Sequence, residues 1–217
     1  MGNEAMGKPE APRENLESLV ERTRGLQPWR RLFHATNGLV ITGVLLFSPL
    51  DASLVIRILG AILGVMLILD IVRLLVPGMN RLFFRTFIRL ASPRERGRPA
   101  SSTWYVLGAL LTLLFFPVHI AAPAILVLAL ADPGASLLGR AFGTRRVGKG
   151  TVEGSSAFFA IASLSLLPFF PWPQALGAAL LVAAVEIIPW PLDDNLVVPV
   201  ASGGILALLE RIFLVSL

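Results

Sequence analysis

From Ala52 to Val76 the chain is apolar and charged only at Arg57, Asp70 and Arg73. About 20 apolar residues suffice to carry a helix across a bilayer, so this run can span one. Further apolar runs follow the same pattern: one beginning near His34 and ending at Leu50, one from Thr103 to Ala131, then Ser155 to Phe170, Pro173 to Trp190, and Leu196 to Leu217. With 55% hydrophobic residues, 15% charged residues and a mean hydropathy of +0.74 over 217 residues, the chain lies outside the range of a soluble domain. An all-α polytopic membrane protein is the fold class this predicts.

Charge placement sets the topology. Of the nineteen Lys and Arg, all but Arg57, Arg73 and Arg211 fall in the N-terminal segment and in two long basic loops. Basic loops are retained on the cytoplasmic side. The Thr103–Ala131 run, broken at Pro117 and His119, therefore crosses twice, because a single crossing would put the two basic loops on opposite faces. The same logic splits Ser155–Trp190 at Pro171, Trp172 and Pro173, for a total of about seven crossings with the N-terminus in the cytoplasm and the C-terminus outside. A net charge of +5 and a pI near 10.9 are explained by this retention and imply no nucleic acid. The absence of Cys excludes a disulfide framework and a thiolate metal site.

Residues 1–29 form a polar segment ahead of the transmembrane domain, 30–217. Its acids, Glu4, Glu10, Glu14, Glu17 and Glu21, argue against a cleavable leader, and Leu16, Leu19, Val20 and Leu26 can line an interfacial helix ending at Trp29. Pro77 to Ala100 mixes Arg81, Arg85, Arg89, Arg94, Arg96 and Arg98 with Leu82, Phe83, Phe84, Phe87 and Ile88, which reads as an amphipathic helix on the membrane surface.

Ala131 to Phe159 is a polar, glycine-rich stretch holding Asp132, Arg140, Arg145, Arg146, Lys149 and Glu153 among six glycines. Glycines let backbone N–H groups converge on an anion and the cations neutralise it, so nucleotide phosphate is the natural ligand. Gly143, Gly148 and Lys149 have the G-x-x-x-x-G-K spacing of a P-loop, but Gly150 stands where Ser or Thr should hold Mg²⁺ and no buried strand precedes it. A P-loop fold is rejected.

The predicted topology collects Arg30, Arg31, His34, Asp70, Arg73, Asp132, the glycine-rich stretch, Glu186, Asp193, Asp194 and Asn195 at the cytoplasmic end. Asp70 and Arg73, three apart on one helix, suit a local ion pair as well as a catalytic role. Arg57 snorkels at the outer end, and Glu210 and Arg211 are structural. Glu186, with no cation near it in sequence, reads as functional. Asp193, Asp194 and Asn195 offer oxygen ligands for Mg²⁺, or a helix cap before Leu196.

In their order, RRLFH, ADPGASLLGRAFG, TVEGSSAFF and DDNLVVP resemble the CTP-dependent lipid kinases: dolichol kinase, phytol kinase and the CTP-using diacylglycerol kinase. The likeness covers about Arg30 to Leu217. It implies a multi-pass enzyme, in the inner membrane if the cell is bacterial, that transfers the γ-phosphoryl group of CTP to a membrane lipid alcohol at the cytoplasmic face with Mg²⁺. Arg30, Arg31 and His34 match the family's basic-basic-x-x-His element; Asp132, Ala135, Ser136, Gly139 and Gly143 match its D-x-x-A-S-x-x-G-x-x-x-G element. Glu153 and Gly154 match its E-G, and Asp193, Asp194, Asn195 and Pro199 its D-D-N element. The resemblance implies catalytic roles for Asp132, His34 and Glu153. Taken together with the charge reading above, nucleotide binding falls to Arg30, Arg31, Ser136, Gly139, Arg140, Gly143, Arg145, Arg146, Lys149, Thr151 and Gly154, and metal binding to Asp193, Asp194, Asn195 and Glu186. One departure is that Gly150, not Lys, precedes Thr151, leaving Lys149 one residue early. Two other readings are a CDP-lipid-forming cytidylyltransferase, which would release pyrophosphate, and a transporter or scaffold with its acids as ion ligands.

Overall fold

A computed structural model describes residues 15–215. The leader argument from Glu4, Glu10 and Glu14 lies outside them. Nine α-helices account for most of the described residues: α1 Leu16–Arg22, α2 Pro28–Phe47, α3 Ala52–Leu75, α4 Pro77–Thr86, α5 Ser101–Phe115, α6 Val118–Phe142, α7 Val152–Leu166, α8 Trp172–Ile187 and α9 Asp194–Val215. Between α6 and α7, β1 Arg146–Val147 and β2 Gly150–Thr151 form a small antiparallel hairpin, with Arg146 opposite Thr151.

Proline sets several boundaries as its chemistry requires. It starts a helix well because its missing N–H falls where the first turn has no partner to offer. Pro28, Pro77 and Pro173 occupy first-turn positions. The expected break at Pro117 is present, with α5 ending at Phe115 and α6 starting at Val118.

α6 is the central helix. Ile120, Ala121, Ala122, Ala124, Ile125, Val127, Leu128, Ala129 and Ala131 are all buried, and α2, α5, α7 and α9 surround them. α3 lies at the edge and turns Ile58, Ile62, Val65, Ile68 and Ile71 outward, as a helix facing lipid does. By length and composition three helices can cross a bilayer: Ala52–Leu75, Val118–Phe142 and Asp194–Phe213. α5, α7 and α8 are apolar but have only 15, 15 and 16 residues. At 1.5 Å per residue they reach roughly 22–24 Å, short of a hydrocarbon core of about 30 Å.

Three expectations are corrected. The stretch from Ala131 to Phe159 is not one loop: α6 runs on through Asp132 and Pro133 to Phe142 and α7 begins at Val152, leaving Gly143–Thr151 outside the helices. Pro133 is accommodated inside α6 at the loss of one helical bond, freeing the Ala129 carbonyl. Pro77–Ala100 is not one surface helix either. α4 stops at Thr86, and the chain then makes a short 3₁₀ turn at Pro93–Arg96 that wraps around Arg73. Finally, the first helix ends at Arg22, before Leu26 and Trp29, and Leu16, Leu19 and Val20 pack on Phe84 and Ala91.

Arg73 is buried at the end of α3 and explains that wrapping. Its Nε donates to Asp70 at 2.6 Å, Nη1 to Asn80 at 3.1 Å and to the Glu95 carbonyl at 2.8 Å, and Nη2 to the Arg98 carbonyl at 2.7 Å. Asp70 also accepts from the Ala100 N–H at 3.0 Å and the Thr103 hydroxyl at 2.6 Å. The pair is therefore the hub that ties the basic segment to the start of α5. At the other end of the bundle, His119 meets Glu210 at 3.2 Å.

Candidate active site

Helix register brings the distant motifs together. Gly38 of α2 faces Ala129 of α6 so closely that a Cβ there would lie 2.4 Å from the Ala129 Cβ. Because the helices run antiparallel, two turns further, about 10.5 Å, aligns Arg31 with Ser136. Arg31 Nη2 donates to the Ser136 hydroxyl at 2.8 Å, and its Nη1 to the Leu26 carbonyl. Arg30 donates to Gln27 at 3.0 Å and to the Ser101 hydroxyl at 2.6 Å, joining α2 to α5. Arg140, two turns of α6 beyond Asp132, donates to the Gly25 carbonyl.

The glycines of the D-x-x-A-S-x-x-G-x-x-x-G and E-G elements serve helix contact. A Cβ on Gly139 would lie 3.2 Å from the Gly154 Cα, and one on Gly154 would lie 3.2 Å from the Ala135 carbonyl oxygen. A Cβ on Gly143 would collide with the Gly139 carbonyl at 2.1 Å. Gly139 and Gly154 thus let α6 and α7 approach backbone to backbone. Only Gly148, at φ +52° in the hairpin, needs the left-handed conformation within this stretch. Thr151 caps α7 by accepting from the Gly154 N–H at 3.1 Å.

Glu153, in the first turn of α7 ahead of the apolar part that starts at Ser155, accepts a hydrogen bond from the Thr144 hydroxyl. That bond first, then the backbone N–H groups of Glu153, Thr144 and Arg145, hold its carboxyl down at about 2. Its second oxygen, Oε2, is enclosed and makes no hydrogen bond. Glu153 is thus a permanent carboxylate that anchors Thr144 and Arg145 to the helix start. A carboxyl depressed on folding stabilises the loop at every pH above its unfolded value, and the contribution fades as pH falls from about 4.3 towards 2. Glu153→Gln should release this anchor at neutral pH, seen as faster amide exchange at Thr144 and Arg145 with no change in α7; unchanged exchange would mean that the carboxylate does not hold the loop. Arg145 and Arg146 have exposed side chains with no partner among the described residues.

The acids converge on one lysine. Lys149 Nζ pairs with Asp194 and lies 3.7 Å from Glu186, and its backbone N–H donates to the Ile187 carbonyl at 3.0 Å, stitching the hairpin to the end of α8. Asp132 is within electrostatic reach of Asp194, Glu186, Lys149 and Arg30. Asp193 accepts from the Asn195 side chain at 2.7 Å and from its N–H at 3.1 Å, a local cap at the start of α9, and the Asn195 amide also reaches the Ser101 carbonyl at 3.4 Å.

As arranged, these residues do not fit a resident metal. No three Asp, Glu or His side chains gather in metal-binding geometry among the described residues, and the Lys149 ammonium takes the place between Asp194 and Glu186. Asp193 and Asn195 are committed to each other.

His34 is buried on α2, its Nδ1 without a partner, and its ring centroid is 5.1 Å from that of Tyr105. Tyr105 was not singled out by sequence. Its hydroxyl is also buried and unpartnered, in the space Gly38 leaves, and Asp132 is its charged neighbour. Being the only tyrosine, set within an apolar run, was the one available signal.

Among known proteins the chain is similar to the CTP-dependent diacylglycerol kinase 1 of Schizosaccharomyces pombe, 29% identical over 162 residues, covering 64% of this chain and 74% of that one. It is 28% identical over 144 residues to the Saccharomyces cerevisiae protein of the same name, covering 65% of this chain and 49% of that one. With the Eremothecium gossypii protein the figures are 30% over 107 residues, 48% and 34%. The chain thus spans about half the length of the second relative and a third of the last. No family model matches it, and no solved structure does. These three similarities support membership of the CTP-dependent lipid kinase family.

Proposed function

We propose that this protein transfers the γ-phosphoryl group of CTP to the free hydroxyl of diacylglycerol. The observation that carries the reading is the meeting of Arg30, Arg31, Ser136, Lys149 and Asp132 at one end of the bundle, in a chain similar to proteins named for that activity. Phosphoryl transfer asks a protein mainly to position and neutralise charge. Arg30 and Arg31 face the triphosphate, with exposed Arg145 and Arg146 drawing it in. The lipid hydroxyl oxygen attacks the γ-phosphorus, the bond from that phosphorus to the β,γ-bridging oxygen breaks, and CDP leaves with the bond's electrons. Asp132 receives the hydroxyl proton. Mg²⁺ belongs in this scheme to the incoming nucleotide, as the counter-ion of its triphosphate.

In the membrane, this reading takes α5, α7 and α8 as short spans beside the longer ones, so that seven crossings keep the N-terminal segment and both basic loops in the cytoplasm and the C-terminus outside. The dense charge at one end supports this arrangement. Purified protein given CTP labelled at the γ-position, Mg²⁺ and a panel of diacylglycerol, dolichol and phytol should form labelled phosphatidic acid and unlabelled CDP. Labelled pyrophosphate instead would make it a cytidylyltransferase. Phosphorylation of dolichol or phytol in preference to diacylglycerol would overturn the choice of acceptor, and absence of any product from folded protein would overturn the kinase reading.

A further inference from the structure

A cavity of about 250 Å³ lies between α2, α3, α4 and the start of α5. Phe33, Leu69 and Phe87 line it and are 41%, 58% and 46% exposed, so it opens on the same flank where α3 turns its aliphatic side chains outward. Asp70 and Arg73 also line it, but both are committed to the hub described above. Two polar wall groups are different. The His34 imidazole and the Ser102 hydroxyl line the cavity and make no hydrogen bond among the described residues. His34 is only 8% exposed, and an unpartnered polar group at that depth costs about 1–3 kcal/mol unless a ligand meets it.

The position of His34 gives the cavity its meaning. The ring lines the cavity and also packs on Tyr105, whose charged neighbour is Asp132. One side chain therefore stands where an apolar chamber open to the bilayer flank meets the charged cluster. We propose that this cavity seats the lipid acceptor as a diacylglycerol, its free hydroxyl at His34, an ester carbonyl at Ser102 and its acyl chains leaving past Leu69 and Phe87. The buried His34 imidazole and the half-buried Ser102 hydroxyl offer partners for two oxygens. A polyprenol or phytol brings one, and a site that hydrogen-bonds a missing group discriminates strongly against the ligand that lacks it. The cavity is below the roughly 300–1,000 Å³ of a pocket that encloses a small molecule, so it holds the glycerol end while the chains stay in lipid. The inference rests on the kinase reading for its choice of ligand, and its photolabelling arm does not depend on turnover.

Full-length protein in phosphatidylcholine nanodiscs, without nucleotide, is photolabelled with a diacylglycerol carrying a diazirine near the glycerol end, and the labelled peptides are mapped. Labelling around Met66 and Phe87 should be displaced by unlabelled diacylglycerol but not by phytol or excess phosphatidylcholine, whereas labelling of exposed Leu180 and Leu208 on other helices should not be displaced. Met66→Trp, which fills the chamber from an edge helix, should abolish the displaceable labelling and raise the apparent KM for diacylglycerol about tenfold with the KM for CTP unchanged. Ser102→Ala should weaken displacement by diacylglycerol alone. Labelling at Met66 and Phe87 no more displaceable than at Leu180, or an unchanged lipid KM in Met66→Trp, would overturn the proposal. Displaceable labelling in a protein that phosphorylates no lipid would overturn the kinase reading and leave the cavity standing; an active kinase without it would do the reverse.

Discussion

Asp132→Asn lowers kcat for lipid phosphorylation by about 10²–10⁴-fold, the range for loss of a positioned acid–base group, with the KM for CTP changing little. The expectation comes from where α6 places the carboxylate: beside Arg30 and Lys149, which can face phosphate, and on the same face as Tyr105 and His34, which lead to the lipid side. Charge separates this role from a structural one. Glu186 and Asp194 share the Lys149 ammonium and repel the Asp132 carboxylate, so removing that negative charge relieves repulsion. The Asn variant should melt no lower than the parent while being nearly inactive, as expected where function is held at some expense of stability. Parent-like turnover in the folded variant would remove Asp132 from the chemistry, and a lower melting temperature with proportionate loss of activity would make it a structural acid.

Arg73→Met is expected to be the most damaging single change to stability, at about 3–5 kcal/mol, because it strands a buried carboxylate and the carbonyls the guanidinium served. Asp70 is 5% exposed and Arg73 4%, so water cannot take over. Arg73→Lys should recover little, since an ammonium cannot reach Asp70, Asn80 and the carbonyls of Glu95 and Arg98 from one planar fork. The double variant Asp70→Asn with Arg73→Met should be less destabilised than the sum of the two singles, as both charges then leave together. Thermal melting of the detergent-solubilised protein measures all four. Additive losses, or a mild effect of Arg73→Met, would mean that the basic segment is held to the bundle by something other than this pair.

What the sequence determined by itself is what depends on local chemistry. Apolar run lengths and the prolines at 77, 117 and 173 set where helices begin and end, because a missing N–H acts within one turn. The charged residues were also legible as one group at one end, since alternating helix directions return each basic motif to the same side. What each residue of that group touches was not. Lys149 has Glu153 four residues on, yet meets Asp194 and Glu186 instead, 45 and 37 positions away, because the hairpin is stitched to α8 at Ile187. The glycines that read as a phosphate loop became the contact surface of two helices, since Asp132–Phe142 stayed helical through Pro133 and only the packed α7 shows that a Cβ at Gly139 or Gly154 would collide. The Arg73 hub, the Tyr105–His34 contact and the lipid-side cavity likewise arise from the register between helices. Register is fixed by side-chain packing over the whole bundle, so tertiary structure alone could decide it.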